Sequence, residues 1–242
     1  MALHFVTLTG TTAQVGETVL LTGAEAKHAA VVRRVRVGES VTIGDGAGVW
    51  LEGEVEDVSA AEVSVRITAR REHEAPSMRI VLAQALAKGD RDELAVQAAC
   101  ELGVDEIVPW QASRSISRWE GPKAAKGRDR WASIVREAAK QAHRAWIPEV
   151  AGVETTGQLA KRSADARLLV LDPTADTRLS GIRADDRDLV LIVGPEGGIS
   201  PEELDRLTEA GAERVRLGDS VLRTSTAGPA AIAMLSGILG RW

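Results

Sequence analysis

The most regular hydrophobic pattern lies in the C-terminal part of the chain. A continuous apolar run at residues 189–193 stops at the glycine-rich stretch 194–198, which is typical of a strand buried on both faces. Ser200, Pro201 and Glu203 follow with the spacing of an N-cap, a first helical position and a capping-box partner. The pattern therefore predicts a buried strand, a glycine turn and a capped helix.

The next segments repeat this order. The helix is predicted to end near Gly211, and a short strand at 213–217 leads to Gly218, a polar loop at 219–225 and an apolar helix at 227–239. Ligands bind at the carboxyl ends of parallel strands, where glycines let a backbone approach closely. These segments thus predict a ligand site in an α/β domain, and the alternative is that the glycines only form turns. The stretch lacks the residues of a Walker loop or a dinucleotide fingerprint.

The middle of the chain alternates strands and helices. A helix is predicted to begin at Asp90, with Glu93 as its capping partner, and to end at Gly103, with Leu94, Ala98 and Leu102 on one face. Strands are predicted at 78–82, 104–109 and 168–171. This βαβ order is typical of a parallel sheet.

The N-terminal part is richer in strands. A short helix is predicted between Thr22, its cap, and Val35, with Glu25 as the capping partner. Strands are predicted at 3–6, 17–21, 40–43, 49–58 and 62–69, with an Asp45-Gly46 turn. The polar stretch 72–77 is the best linker candidate, so we expect a β-rich domain at 1–72 and an α/β domain at 73–242.

Composition narrows the class of protein. The chain has 242 residues and a net charge of −5, and it has no apolar run of the ~20 residues that a membrane span needs. The N-terminus lacks the pattern of a signal peptide, so we expect a cytoplasmic protein without a membrane partner. A single cysteine, Cys100, excludes an internal disulfide and a cysteine-cluster metal site, and we expect it to be buried. No metal site is predicted.

One segment is strongly basic although the whole chain is acidic. Residues 111–144 hold nine Lys or Arg and three acids, a local charge of +6. Trp119 and Trp131 lie among these cations, and Trp146 follows them. Cations neutralise phosphates and exposed tryptophans stack on bases, so the segment is a nucleic-acid candidate through Arg114, Arg118 and Arg144. The alternative is a solvated face over core tryptophans, which we favour for Trp131.

The motifs of the last fifty residues resemble a known family. The strings GPEGG-x-S-x-x-E, LG and VLRT-x-TA resemble the C-terminal motifs of SPOUT-class RNA methyltransferases, most closely the bacterial family that methylates N3 of a uridine in 16S ribosomal RNA. Upstream, KGDRDELAVQAACELGV and the Asp45-Gly46-x-Gly48 turn resemble segments of the same family. The resemblance implies a SPOUT α/β domain with a deep trefoil knot and a smaller, N-terminal PUA-like β-barrel that helps hold RNA.

The family's site residues are carried over position by position. The resemblance implies S-adenosylmethionine as cofactor and Arg223 as the cation that steadies a uracil anion or a phosphate. Glu196 is implied as a proton acceptor or orienting group, or as a structural group of the turn. Ser225 replaces the family's glutamate, which excludes a general base there. The implied cofactor-binding residues are Leu171, Gly194, Gly197, Leu217, Gly218, Leu222 and Thr224.

The resemblance implies two partners: 16S rRNA, either naked or within the 30S subunit, and a second copy of the chain that packs through the knotted domain. The family often has other residues where this chain has Val31, Ala98 and Lys140. The candidate RNA-binding residues are Arg34, Lys88, Arg91, Arg114, Arg118 and Arg144. Two alternatives stay open: a SPOUT enzyme that methylates a ribose 2′-hydroxyl, and a ribosome-associated RNA-binding protein without catalysis.

Overall fold

A computed structural model describes residues 2–7, 12–183 and 185–242 of the chain. The chain divides into two compact units, one of residues 1–76 and 139–147, the other of residues 77–138 and 148–242. The segment 139–147 thus belongs to the N-terminal unit, although more than 60 residues separate it from residue 76 in the sequence. The domain boundary at 72/73 stays a prediction.

The first unit is built on a five-stranded sheet with the order β1-β3-β4-β5-β2. The β1–β3 pair is parallel and the others are antiparallel. All five predicted strands are confirmed, and β5 extends to Glu72. The strands are β1 (Leu3–Val6), β2 (Thr18–Thr22), β3 (Ser40–Gly44), β4 (Val49–Val58) and β5 (Glu62–Glu72).

The predicted helix of this unit consists of two short pieces. Helix α1 (Gly23–Lys27) continues into a π-helical turn (His28–Arg33), which Arg34 ends in the left-handed conformation with φ 55°. The prediction that Thr22 caps the helix through its side chain is wrong, because its side chain makes no capping hydrogen bond. Glu25 instead forms an ion pair of 2.8 Å with the buried Lys140.

The Asp45-Gly46-x-Gly48 turn packs against the segment 139–147. The Asp45 carboxylate accepts hydrogen bonds from the backbone N–H groups of Ala47 and Val49, as expected for an Asx-type turn. A Cβ at Gly46 would lie 2.5 Å from Ile147, and a Cβ at Gly48 would lie 2.7 Å from the Trp146 indole. The glycines are therefore required by close packing as well as by their positive φ.

A buried histidine lies in the core of the first unit. The His4 ring stacks on Trp50 at a centroid distance of 4.3 Å, and its Nδ1 lies 2.9 Å from the Thr42 hydroxyl oxygen. Burial, and then the nearby His143 and Lys140, lower the pKa of His4 to about 4. The ring is thus neutral in the folded protein at pH 7, since both burial and neighbouring cations disfavour its charged form.

His4 makes stability depend on pH. Its pKa is about 4 in the folded protein against 6.5 unfolded, so the unfolded chain binds the proton more tightly and stability falls as pH falls between these values. We expect the wild-type free energy of unfolding to drop by about 2 kcal/mol more than that of His4→Gln between pH 7 and 5. Urea unfolding of both, with His73→Gln as the exposed control, measures this; equal pH dependences of wild type and His4→Gln would contradict it.

The second unit is built on a six-stranded, all-parallel sheet with the order β11-β9-β10-β6-β7-β8. The predicted parallel sheet is confirmed. Strand β10 pairs in parallel with both β9 and β6, so the carboxyl ends of these three strands lie side by side at the same end of the sheet. The strands are β6 (Ile80–Ala85), β7 (Glu106–Trp110), β8 (Glu149–Val150), β9 (Ala166–Leu171), β10 (Asp188–Val193) and β11 (Glu213–Val215).

Helices cover this sheet. No helix in the described part of the chain is both long enough and apolar enough to cross a membrane. The predicted capping box of α5 is confirmed, since the Ser200 hydroxyl accepts from Glu203 N and the Glu203 carboxylate accepts from Ser200 N. The helices are α2 (Arg91–Glu101), α3 (Pro122–Gln141), α4 (Thr156–Lys161), α5 (Pro201–Glu209) and α6 (Thr224–Ile238).

Helix α2 presents a different face to the core from the one predicted. The predicted face is wrong, because Leu94 is 52% exposed while Ala95, Val96, Ala99 and Cys100 are buried. These small side chains let α2 pack closely against α6. The predicted burial of Cys100 is confirmed, but the predicted cap is wrong: Asp90 makes no capping hydrogen bond, and the buried Asp92 accepts from Ala87 N instead.

The last helix returns across the sheet. After the edge strand β11, the chain runs back so that α6 packs against β10, β6 and α2. Gly228 makes the close approach to β6 feasible, since a Cβ there would lie 2.9 Å from Leu82. The helix begins at Thr224, three residues before the predicted start. The loop before it is thereby brought to the ends of β9 and β10.

Candidate functional site

A cavity of about 590 Å³ lies at the carboxyl ends of β9, β10 and β11, and we call it the strand-end cavity. The structure brings together in its wall all but one of the cofactor-binding residues predicted from the sequence. Gly197 does not line it; its carbonyl accepts a hydrogen bond from Arg114. The predicted residues in the wall are Leu171, Gly194, Leu217, Gly218, Leu222 and Thr224.

The β9 side of the cavity is fixed by an aspartate. The buried Asp172 carboxylate accepts from the backbone N–H and hydroxyl of Thr174 at 2.8 Å each, and from the Arg214 guanidinium at 2.7 Å. Burial alone would raise the pKa of Asp172, but these hydrogen bonds outweigh it and lower the pKa. The Asp172 carboxylate therefore connects the turn around Pro173 to strand β11, because Thr174 belongs to that turn and Arg214 to β11.

The β10 side is tied to α6 by two consecutive hydrogen bonds. The Gln84 amide donates to the Thr224 hydroxyl oxygen at 2.9 Å, and the Thr224 hydroxyl donates to the Gly194 carbonyl at 2.8 Å. The Thr224 hydroxyl thus accepts a hydrogen bond from the Gln84 amide and donates its single proton to the Gly194 carbonyl. Gln84 was not predicted from the sequence; its signal was a single polar residue inside an otherwise apolar run, 80–87.

The loop between β11 and α6 offers backbone donors to the cavity. Within the described part of the chain, no backbone N–H from Leu217 to Leu222 donates a hydrogen bond. Val221 is 78% exposed and Leu222 is 38% exposed. Apolar side chains beside unengaged N–H groups suit a ligand that has flat apolar parts and hydrogen-bond acceptors.

Glu196, a predicted catalytic residue, lines the cavity in an ion pair. Its carboxylate lies 3.0 Å from the Arg91 guanidinium and accepts from Lys88 N at 3.2 Å. Partial burial would raise the pKa of Glu196, but the hydrogen bonds from backbone N–H groups and Arg91 outweigh it and lower the pKa. A carboxylate with a lowered pKa is a weak base, so this geometry favours the orienting role among those considered from the sequence.

Arg223, the other predicted catalytic residue, stands at the start of α6 and lines the cavity. Its carbonyl accepts from the N–H groups of Thr226 and Ala227 at 2.9 Å. Its exposed side chain makes no hydrogen bond or ion pair with any described residue. The helix fixes the backbone of Arg223 and leaves its guanidinium available to an anion.

Glu203 joins three segments beneath the glycine turn. Its buried carboxylate accepts from the Ser113 N–H and hydroxyl at 2.8 and 2.7 Å, from the Thr156 hydroxyl at 2.7 Å and from Ser200 N at 3.3 Å. Burial alone would raise the pKa of Glu203, but these hydrogen bonds outweigh it and lower the pKa. The sequence predicted only its capping role.

We expect Glu203→Gln to lower the free energy of unfolding at pH 7 by about 2–4 kcal/mol, because an amide cannot accept all four hydrogen bonds. A carboxylate with a lowered pKa stabilises the fold above its unfolded pKa of about 4.5, and this contribution is lost as pH falls through the folded pKa. The difference from wild type should therefore shrink below pH 4.5. Urea unfolding measures it, and Glu209→Gln on the exposed side of α5 is the control; equal losses in both variants would contradict it.

The predicted RNA-binding arginines lie in both units. In the second, Arg114 donates to the Gly197 carbonyl at 3.1 Å and Arg118 donates to the Ser113 carbonyl at 3.0 Å. In the first, Arg34 is exposed after the π-helical turn, and Arg144 is half-buried in the segment 139–147. Arg91, as described, is engaged with Glu196.

The tryptophans of the basic region fall into two classes. Trp110 and Trp131 are buried, which confirms Trp131 as core. Trp146 packs on Gly48 and donates through Nε1 to the His73 carbonyl at 3.0 Å. Trp119 is half-buried and meets Trp131 edge-on, so it retains exposed aromatic surface.

Comparison with known proteins decides the family. A family model for an RNA methyltransferase domain matches residues 73–236, and one for an RNA methyltransferase PUA domain matches residues 21–68. The chain is 42% identical to ribosomal RNA small subunit methyltransferase E of Mycobacterium bovis, over 94% of this chain and 89% of that protein. The chain belongs to the ribosomal RNA small subunit methyltransferase E family. The resemblance inferred from the sequence motifs is thereby confirmed.

Members of the methyltransferase E family match along nearly the whole chain. The protein of that name from Bacillus subtilis is 31% identical over 98% of this chain and 96% of its own. The crystal structure of the Neisseria gonorrhoeae protein of that name, bound to S-adenosylmethionine, matches with a TM-score of 0.87 and 30% identity over 98% of both chains. These matches confirm the SPOUT and PUA-like fold. Among the described residues, no group of three or more His, Cys, Asp or Glu is arranged to hold a metal ion.

Proposed function

We propose that this chain transfers a methyl group from S-adenosylmethionine to N3 of a specific uridine in 16S rRNA of the small ribosomal subunit. The strand-end cavity carries this proposal, because it combines glycine-lined strand ends with a loop of unengaged backbone N–H groups. The family relatives support it by their names, and one of them by its bound S-adenosylmethionine.

The cavity fits S-adenosylmethionine in size and chemistry. About 590 Å³ lies within the 300–1,000 Å³ of typical small-molecule sites. Leu171, Leu217 and Leu222 offer apolar surface to an adenine ring, while the backbone of Gly194 and of Gly218 offers polar atoms without side chains. Thr224 is committed to Gly194, so its role is to hold the wall. When bound, the sulfonium supplies an activated methyl group.

The chemistry at uracil N3 requires a proton to leave. A bond forms between N3 and the methyl carbon as the carbon–sulfur bond breaks, the N3 proton passes to an acceptor, and the sulfonium charge is lost. The protein must therefore position the uracil and stabilise negative charge on it. We assign the second task to Arg223, a residue of the cavity wall whose guanidinium has no partner among the described residues.

Glu196 is assigned an orienting role. Its ion pair with Arg91 and its hydrogen bond from Lys88 N connect the glycine turn to the start of α2. In this role it fixes the shape of the cavity wall while Arg223 faces the substrate. Arg91 contacts RNA in this proposal only through the part of its guanidinium that Glu196 leaves uncovered. Arg34, Arg114, Arg118 and Arg144 remain proposed phosphate contacts.

We also propose a homodimer formed through the knotted domain, working in the cytoplasm on 30S subunits. Helices α2 and α6 pack together, and they expose Leu94 and Ile238, by 52% and 36%, with Trp242 exposed by 69% beyond α6. Exposed apolar side chains on paired helices are suited to a partner surface. Light scattering of the purified protein distinguishes dimer from monomer.

The proposal is tested by transfer of labelled methyl groups. The protein is incubated with methyl-labelled S-adenosylmethionine and either naked 16S rRNA or 30S subunits that lack the modification. We expect label in 16S rRNA from 30S subunits. Label in neither RNA, with intact binding of S-adenosylmethionine, would contradict catalysis and favour a non-catalytic RNA-binding protein.

A further inference from the structure

A second cavity, of about 520 Å³, lies within the second unit beside helix α3. We call it the α3 cavity. Its wall is formed by the loop after β6, the loop between β7 and α3, and α3 itself. In the parallel sheet β6 pairs with β10 and β7 pairs with β6, so this cavity lies at the same carboxyl-terminal end of the sheet as the strand-end cavity.

The wall of the α3 cavity is cationic. Its acids are already engaged: Glu93 binds Arg130 at 2.8 Å, and the buried Asp92 accepts from backbone N–H groups. No side-chain partner for the Lys88, Lys123 or Lys126 ammonium exists among the described residues. The cations of the wall are Lys88, Arg118, Lys123, Lys126 and Arg130. Positive charge without internal partners is suited to phosphate.

An aromatic side chain is held in the same wall. The Trp119 indole meets Trp131 edge-on, at a centroid distance of 5.0 Å and an angle of 69°, and its backbone N–H donates to the Gln111 amide oxygen at 2.8 Å. A Cβ at Gly127 would lie 2.5 Å from the indole, so Gly127 lets the ring lie against α3. The indole is thereby fixed on one side and half-exposed on the other.

A fixed indole among unpaired lysines matches the requirements of single-stranded nucleic acid. An unpaired base stacks on the ring and the adjoining phosphates bind the ammonium groups. A base inside a duplex offers no free face to such a ring. The chemistry of the wall therefore favours an unpaired nucleotide over a helical segment.

The two cavities share one loop. Arg91, in the first turn of α2, lines the strand-end cavity, whereas Lys88 and Asp92, just before and after it, line the α3 cavity. Lys88 N and the Arg91 guanidinium both bind Glu196 of the glycine turn. A ribonucleotide chain with its target base in the strand-end cavity would pass this loop on the way to the α3 cavity.

We propose that the α3 cavity binds an unpaired nucleotide that flanks the target uridine, with its base against Trp119 and its phosphate at Lys123 and Lys126. The identity of the target rests on the proposed function, whereas binding of an unpaired nucleotide does not. The α3 cavity is a binding site, and the reacting atoms stay in the strand-end cavity.

The charge contribution is tested with labelled decauridylate, a single-stranded RNA, by fluorescence anisotropy at several salt concentrations. The Lys123→Gln/Lys126→Gln variant is expected to bind about tenfold more weakly and to reduce the slope of log affinity against log salt by about 1.4, for two phosphates at 0.7 each. The control, Arg128→Gln/Lys161→Gln, removes two exposed charges of the same unit outside the cavity.

The aromatic contribution is tested with Trp119→Leu and Trp119→Phe. The leucine variant is expected to bind decauridylate roughly ten- to a hundredfold more weakly, and the phenylalanine variant to recover most of the affinity because it keeps a flat ring. Titration with S-adenosylmethionine verifies that each variant is folded at the neighbouring cavity.

Three results would overturn the proposal: no binding of decauridylate to wild type at low salt, equal effects of the lysine pair and its control, or leucine as effective as phenylalanine at position 119. These assays involve no methylation. The proposed function is refuted if wild type forms no N3-methyluridine. The proposed nucleotide site is still supported in that case if the cavity variants lose affinity for RNA.

Discussion

Arg223→Ala is expected to lower the rate of methyl transfer by about a hundred- to a thousandfold, the effect of removing one positioned charge-stabilising group. The reason is that Arg223 lines the strand-end cavity and its guanidinium has no partner among the described residues. Arg223 caps α6 with its backbone carbonyl and not with its side chain, so the variant should fold and should still bind S-adenosylmethionine. Single-turnover methylation of 30S subunits measures the loss.

Two further variants define what the Arg223 result means. Arg223→Lys keeps the charge without the planar fork and should recover part of the rate. Arg187→Ala removes a comparably exposed arginine, paired with Asp185 away from the cavity, and should leave the rate unchanged. Near wild-type turnover by folded Arg223→Ala would refute the proposed role of this side chain.

Gly194→Trp is expected to abolish binding of S-adenosylmethionine. A Cβ at Gly194 would lie 2.7 Å from the Ile199 side chain, so a larger side chain either displaces Ile199 or fills the strand-end cavity that both residues line. Both results remove the space that the ligand needs. Calorimetric titration of wild type and variant measures the loss.

The control for Gly194→Trp is Gly152→Trp. Gly152 is exposed, has no positive φ, and has open space where a Cβ would lie, so the backbone there accepts a side chain. Circular dichroism distinguishes a folded Gly194→Trp variant from an unfolded one. Saturable binding by the folded variant with wild-type affinity would place the cofactor elsewhere than in the strand-end cavity.

Much of the architecture follows from local patterns in the sequence. The buried strand before Gly194 and the capping box at Ser200 and Glu203 are predicted because each depends on neighbours along the chain. The start of α6 is mispredicted because Thr224 and Ser225 have the composition of a loop, and only contact with Gln84 and Gly194 fixes Thr224 as the first helical residue.

Tertiary packing accounts for the other errors. Leu94 is a large apolar residue of the predicted α2 face, but it is exposed, whereas Ala95 and Ala99 are buried and their small side chains allow a close approach to α6. The role of Gln84 also depends on a partner 140 residues away. The knot was predicted only from the family resemblance, since hydrophobic periodicity carries no information about how a chain threads through itself.

The measurement that tests the central claim most directly is mass spectrometry of nucleosides from methylated 16S rRNA. Subunits that lack the modification are incubated with the protein and S-adenosylmethionine, and the RNA is then digested to nucleosides. The account predicts that the new methyl group is on the base, as N3-methyluridine, and is absent from RNA treated with Arg223→Ala. A methyl group on the ribose fragment, as in 2′-O-methyluridine, would contradict it.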